Sequence, residues 1–161
     1  VASETDVVWM PGGVRTEIRL TGADTDGAFC LLLDEPPARW SLPAHVHIDA
    51  AETIHVLEGE FETTVDGITE RTGPGQTVHI PAGVVHSGGN VGGDPGRRLL
   101  IFSPSGMEEF FREAGTPSPE AEAEVDLGAA LDSALRHGWR FVDWPRLYAA
   151  QKMPFLPVRR W

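Results

Sequence analysis

The chain has 161 residues and a formal charge of −11 at neutral pH, with 41% hydrophobic and 23% charged residues. That is the make-up of an ordinary globular chain able to bury its own core. The acidity argues against a nucleic-acid partner and against an anionic membrane surface, and no apolar run reaches the length of a membrane-spanning helix. A single cysteine excludes an intrachain disulfide, and 18 glycines with 13 prolines argue for short strands and tight turns rather than a helix bundle.

In chain order, residues 5–10 and 14–20 predict two strands joined by the turn Pro11-Gly12-Gly13. In the second, Val14, Thr16, Ile18 and Leu20 alternate with Arg15, Glu17 and Arg19, the period of a strand with one face inward. A polar turn over 21–27 leads to an apolar strand at 28–33 that contains Cys30, expected as an inert core thiol, and the chain then meets Pro36-Pro37. Ser41 to His47 begins a histidine cluster, and strand patterns follow from Thr53 to Leu57, Phe61 to Val65, Ile68 to Arg71 and Gln76 to Ile80. Asp66-Gly67 between two of them is a strong hairpin signal. Residues 87–96 read as a glycine-rich loop with some extended character, and Arg97 to Phe102 as a last strand. Eight or more short strands with close turns between residues 5 and 102 predict an all-β sandwich or barrel. Beyond it, Ser105 and Glu108 have the spacing of a capping box for a helix over 107–114, which Gly115 ends. Ser118-Pro119 offers a second helix start, and Leu127, Leu131 and Leu135 mark one face of a helix over 126–137. The aromatic residues Trp139, Phe141, Trp144, Tyr148, Phe155 and Trp161 need a surface, either one end of the barrel or a partner subunit. No repeat or linker divides the chain, so residues 1–161 read as one domain. No signal-peptide pattern opens it, and the cytoplasm is the default compartment.

The chemistry lies between Pro43 and Asn90. His45 and His47 share one face of a strand, Glu52 follows after a bend, and His86 arrives from a separate hairpin. Three imidazoles and a carboxylate suit a divalent first-row ion (Fe, Mn, Co, Ni, Cu or Zn), and four protein ligands leave positions open for substrate, as in catalytic sites. Taken alone, the histidine pair could equally be a surface or core pair, and Glu52 a solvated strand end. His55 has the parity opposite to Glu52 and is expected to face outward. His79 is expected to be a satisfied histidine near the site, and His137 to suit a helix C-terminus.

The spacing is more specific. His45-x-His47 is followed by four residues, Glu52, six residues and Gly59; then come Gly75, five residues, Pro81, one residue, Gly83, two residues, His86, three residues and Asn90. This pattern resembles the two motifs of the cupin superfamily. The resemblance implies a jelly-roll β-barrel over about residues 5–102, with a short helical extension behind it. It also implies His45, His47, Glu52 and His86 as ligands of one divalent metal ion, and a homodimer. Arg39 stands where the family often has glycine, which puts the local turn in question. The segment Phe102 to Phe111 loosely resembles that of quercetin-dioxygenase-like cupins. The first implied function is therefore an oxygen-using dioxygenase acting on a small oxygenated or aromatic compound, with Glu52 as ligand or catalytic base. The alternatives are a non-redox metal-dependent cyclase or isomerase of a polyketide-like compound, and a cupin that binds a small molecule without turnover. The pocket walls are expected from Trp40, Ile54, Val56, Phe61 and Phe102.

Overall fold

The computed structural model describes residues 6–119 and 127–142. Eleven strands are found among them: β1 (Asp6–Met10), β2 (Val14–Leu20), β3 (Cys30–Glu35), β4 (Ser41–His47), β5 (Ala51–Glu58), β6 (Phe61–Val65), β7 (Ile68–Thr72), β8 (Thr77–Ile80), β9 (His86–Asn90), β10 (Arg97–Ser103) and β11 (Trp139–Phe141). Three helices accompany them: α1 (Gly22–Thr25), α2 (Met107–Ala114) and α3 (Leu127–Arg136). The strands form two antiparallel sheets, ordered β1-β2-β3-β10-β5-β8 and β11-β4-β9-β6-β7. From β3 to β6 the chain crosses between the sheets at every connection, which gives the jelly roll its shape. Among the described residues, no helix is long and apolar enough to cross a membrane.

Side-chain alternation sets the interior. On β2, Val14, Thr16 and Ile18 are buried; on β5, Glu52, Ile54 and Val56; on β10, Arg98, Leu100 and Phe102. The registers align these inward rows across the larger sheet. Phe102 faces Glu52 and Cys30, Leu100 faces Ile54 and Leu32, and Arg98 faces Val56 and Asp34. Helix α2 closes one end of the sandwich with Met107, Phe110, Phe111 and Ala114, which join the same core as Ala134 of α3. Cys30 is fully buried beneath it, and its thiol is pushed up to about 12, chiefly by burial, as expected of an inert core residue.

Several expectations change. The stretch expected as a glycine-rich loop begins with strand β9, which runs between β4 and β6. Its glycines are there for close approach rather than for flexibility: a Cβ at Gly89 would lie 2.6 Å from the Trp40 carbonyl oxygen. Strand β3 continues through Asp34 to Glu35, since the prolines that stop it come only afterwards. The polar turn after β2 contains the single helical turn α1, closed by Thr21 and Asp24, whose carboxylate accepts from the Thr21 amide at 2.8 Å. Helix α2 is capped at Gly106, not Ser105. Glu108 accepts from the Gly106 amide at 2.6 Å and from the Gly22 amide at 2.7 Å, tying α2 to α1. Residues 118 and 119 are bends, and a helix started by them would fall outside the described residues. The α3 helix forms close to its expected bounds. His137, just beyond it, lies 3.3 Å from Glu113, so a carboxylate as well as the helix end accounts for it.

The position where a glycine is usual keeps its turn with another residue. Arg39 adopts φ +60°, the left-handed conformation that glycine takes without strain. Asp66 and Gly67, at φ 49° and 80°, make the expected two-residue hairpin between β6 and β7.

Candidate metal centre

Strand β4 carries His45 and His47, β5 carries Glu52, and β9 begins at His86. Pairing of β4 with β9 sets His45 directly opposite His86, and Glu52 lies on the facing sheet. Gly83, at φ +77°, donates its amide to the His47 carbonyl at 2.8 Å, so the turn before His86 is fixed against the strand bearing the other two histidines. The four side chains are buried, and one ligand atom from each lies within 4.8 Å of all the others.

The polar atoms of this cluster are unevenly satisfied. His45 Nδ1 donates to the Pro43 carbonyl at 2.8 Å, which fixes the neutral tautomer with the lone pair on Nε2. That Nε2, like both ring nitrogens of His47, is buried with no hydrogen-bond partner. A buried polar atom left unpaired costs about 1–3 kcal/mol, and few are tolerated. Neutral imidazole has one lone pair, so His45 and His47 offer one each, and a metal ion would take both. His86 makes bonds at both nitrogens, Nδ1 to the Val84 carbonyl at 3.0 Å and Nε2 to Glu52 Oε2 at 3.2 Å.

Electrostatics follow the same division. Burial drives His45 down to about 3, helped by the neighbouring imidazoles His86 and His47. Burial likewise lowers His47, to about 4. Burial alone would raise Glu52, but the bond from His86 and the surrounding imidazoles bring it down to about 2. Burial would lower His86, yet the Glu52 hydrogen bond and charge leave it raised. At neutral pH the cluster therefore offers two uncharged imidazoles and an ionised carboxylate, while Glu52 biases His86 toward its charged form, against which a metal would compete.

An apolar cavity of about 170 Å³ opens onto His45 and Glu52. Its walls include Trp40, Leu42, Leu100, Phe102, Phe110 and Leu131. Of the five wall residues expected from sequence, Trp40 and Phe102 line it, whereas Ile54, Val56 and Phe61 are buried without lining it. The sequence reading missed β11. This short strand pairs with β4, placing Trp139 opposite His47 and Phe141 opposite His45. The Trp139 ring stacks on His45, with centroids 4.7 Å apart, and lies 4.4 Å from His47. The aromatic extension thus does cover the histidine cluster as far as Phe141; Trp144, Tyr148, Phe155 and Trp161 lie outside the described residues. Arg98 and Asp34 also line the cavity and were not expected there. Their inward parity beside Leu100 and Leu32 was the available signal.

The histidines expected outside the centre are outside it. His55 and His79 sit on the outer face of β5 and β8, where His55 Nδ1 pairs with Thr77 Oγ1 at 2.8 Å and His79 Nδ1 with Thr53 Oγ1 at 2.9 Å. Both imidazoles are satisfied away from the cavity, so His79 plays no part in its wall.

Residues 31–102 match the cupin domain family. The chain is 32% identical over 94 residues to quercetin 2,3-dioxygenase of Bacillus subtilis (strain 168), a match covering 58% of this chain but only 28% of that protein. It is 29% identical over 115 residues to polyketide synthase CurC of Streptomyces cyaneus, covering 71% of this chain and 73% of that one. Among solved structures, the polyketide cyclase RemF from Streptomyces resistomycificus is 27% identical with a TM-score of 0.52, over 63% of this chain and 74% of that one. Fold and site define a jelly-roll protein with a buried histidine–carboxylate cluster compatible with a metal ion. Over residues 31–102 the chain carries a cupin domain.

Proposed function

We propose that this chain is a metal-dependent enzyme acting on an oxygenated aromatic compound of polyketide type, and that it cyclises or isomerises that compound without consuming oxygen. The observation that carries the reading is the cavity: apolar, walled by aromatic rings, and open directly onto Glu52 and His45. Such walls bind flat ring systems by area and stacking, and the few polar groups fix orientation. His45, His47, Glu52 and His86 would hold one divalent first-row ion, which supplies Lewis acidity toward a substrate oxygen. The hydrogen bonds from His45 to Pro43 and from His86 to Val84 hold the two rings in orientation. Glu52 reaches the cavity ionised and is the catalytic residue in this reading, holding the ion and accepting a proton from a substrate hydroxyl. Phe102, Trp139 and α2 keep water from the same space.

The match to the polyketide cyclase RemF supports cyclisation and the match to the polyketide synthase CurC supports a polyketide-type compound, each spanning about three quarters of the relative's own length. The oxygen-using dioxygenase is the second reading, supported by a more identical match that covers only 28% of its relative. The experiment is incubation of protein loaded in turn with zinc, nickel, cobalt, manganese and iron. Each form is given a linear or partly cyclised aromatic polyketide, and separately a flavonol, with dissolved oxygen monitored. Cyclised product with no oxygen uptake is expected. Oxygen uptake in step with flavonol loss would establish the second reading in its place, and tight retention of compound with no product would make the chain a binding module.

A further inference from the structure

Four residues along β10 from Phe102, the inner face of the larger sheet carries a second polar cluster. Thr16 faces Asp34, and Asp34 faces Arg98, across three adjacent strands. All three side chains are buried, with Arg98 only 6% exposed and Asp34 2%. Arg98 donates to Asp34 Oδ2 from Nε at 3.0 Å and from Nη2 at 2.8 Å, and Thr16 Oγ1 donates to Oδ1 at 2.8 Å. The guanidinium also lies 5.2 Å over the rings of both Trp40 and Phe61. Its remaining nitrogen, Nη1, has no acceptor among the described residues. Arg98 and Asp34 line the same cavity as Glu52 and His45.

A buried ion pair is a poor device for stability, because desolvation offsets its attraction and an apolar pair of similar size often does as well. This one is better explained by what it offers the cavity. Asp34 neutralises Arg98 and, with the two rings, holds its plane fixed, leaving one donor nitrogen to be matched. A carboxylate approaching it would also meet Asp34, so the complementary group is an uncharged acceptor such as a ketone or quinone oxygen. At about 3.3 Å per strand residue, the Arg98 and Glu52 rows are about 13 Å apart at the backbone. Their side chains share one cavity, so a fused ring system with an oxygen at either end could span them.

We propose that Arg98 is a specificity-determining residue that binds an uncharged carbonyl oxygen at the end of an aromatic ligand remote from the metal centre, with Asp34 and Thr16 as its positioning residues. The proposal deepens the reading of the cavity as a site for oxygenated aromatics and rests on it.

The test uses 6-acetyl-2-naphthol and 6-isopropyl-2-naphthol, which have the same outline but differ in the acceptor. Binding of each to the full chain is measured by calorimetry, at equal metal content, together with the carbonyl stretch of the bound acetyl compound. The wild-type protein is expected to bind the acetyl compound about tenfold more tightly, as a hydrogen bond to a charged donor allows, and to lower its stretching frequency. The double variant Arg98→Met/Asp34→Leu, which replaces the pair by apolar groups, should bind both compounds alike with no frequency shift. Arg98→Lys, which keeps the charge but not the fork, should lose most of the preference. Equal wild-type affinities would overturn the anchor while leaving the aromatic cavity standing. Preference retained in the double variant or in Arg98→Lys would also overturn the anchor. Failure of the wild type to bind either compound would overturn the reading of the cavity and the anchor with it.

Discussion

Strand β5 presents two polar faces that use the same side chains to opposite ends. On its outer face, His55 pairs with Thr77, and Thr53 with His79, so each of these imidazoles has a hydroxyl partner. On its inner face, Glu52 meets His45, His47 and His86, and three imidazole nitrogens there have no partner. Residue type does not separate the two sets; satisfaction does. A sheet surface can supply every histidine with a neighbour, and here the buried cluster does not, although burial makes the omission expensive. Lone pairs left free at that cost make the cluster compatible with a metal ion.

The comparison is broken most directly by removing one histidine from each face. His86→Ala and His47→Ala should each lower metal affinity at least about a hundredfold, since losing even an outer partner of a ligand costs 10–100-fold. His55→Ala and His79→Ala should leave metal content unchanged. Elemental analysis and a chelator competition read both, with circular dichroism checking that the barrel stays folded; full metal content in the inner variants would refute the ligand assignment.

The next effect concerns the aromatic cover, which only the inner cluster has. Trp139→Ala removes a buried ring stacked on His45 and should destabilise the protein by about 3 kcal/mol in a denaturant titration.

Acid should separate metal-free from metal-loaded protein. His45 and His47 lie at about 3 and about 4 in the folded chain, below the ordinary 6.5, so the unfolded chain binds more protons in that window. Their contribution to metal-free stability is complete above about 6.5 and is lost as pH falls through 4 toward 3. Glu52, lowered from 4.5 to about 2, acts in the same sense below 4.5. His86, raised, acts oppositely: it stabilises below 6.5 and loses that contribution as pH rises through its own folded value. Below 6.5 the His86 contribution is already complete and adds no slope, so His45 and His47 predict a net loss of metal-free stability between pH 6.5 and 4, measurable by urea titration across that range. Protein whose metal-free stability is flat there would contradict the electrostatic account.

The smallest effect lies away from the site. Arg39→Gly relieves a left-handed arginine at a modest cost in chain entropy and should stabilise by about 1 kcal/mol or less, seen as a rise in Tm.

These residues also mark what could be read beforehand. The alternation in Val14–Leu20 and the parity of Glu52 against His55 placed side chains on the correct faces, because a strand's period is local and exact. The spacing around His45, His47, Glu52 and His86 anticipated the cluster, and Arg39 identified an unusual turn. Long-range packing was not legible. Gly88 and Gly89 looked like loop residues because nothing local says that two strands press against them. The three residues of β11 are too few to show a period. Asp34 lay at an expected strand end and Arg98 within the last expected strand, and only pairing between those distant strands makes them partners. The order of functional readings also depended on matter outside the motifs, since the motif residues are compatible with oxygen chemistry and Lewis-acid chemistry alike.

The most direct test of the account is anomalous X-ray diffraction from crystals of the metal-loaded protein, collected at the absorption edge of the bound element. One strong peak per chain is predicted, bonded to His45, His47, Glu52 and His86 together. No peak among those four side chains, or a peak on the outer face at His55 and His79, would contradict it.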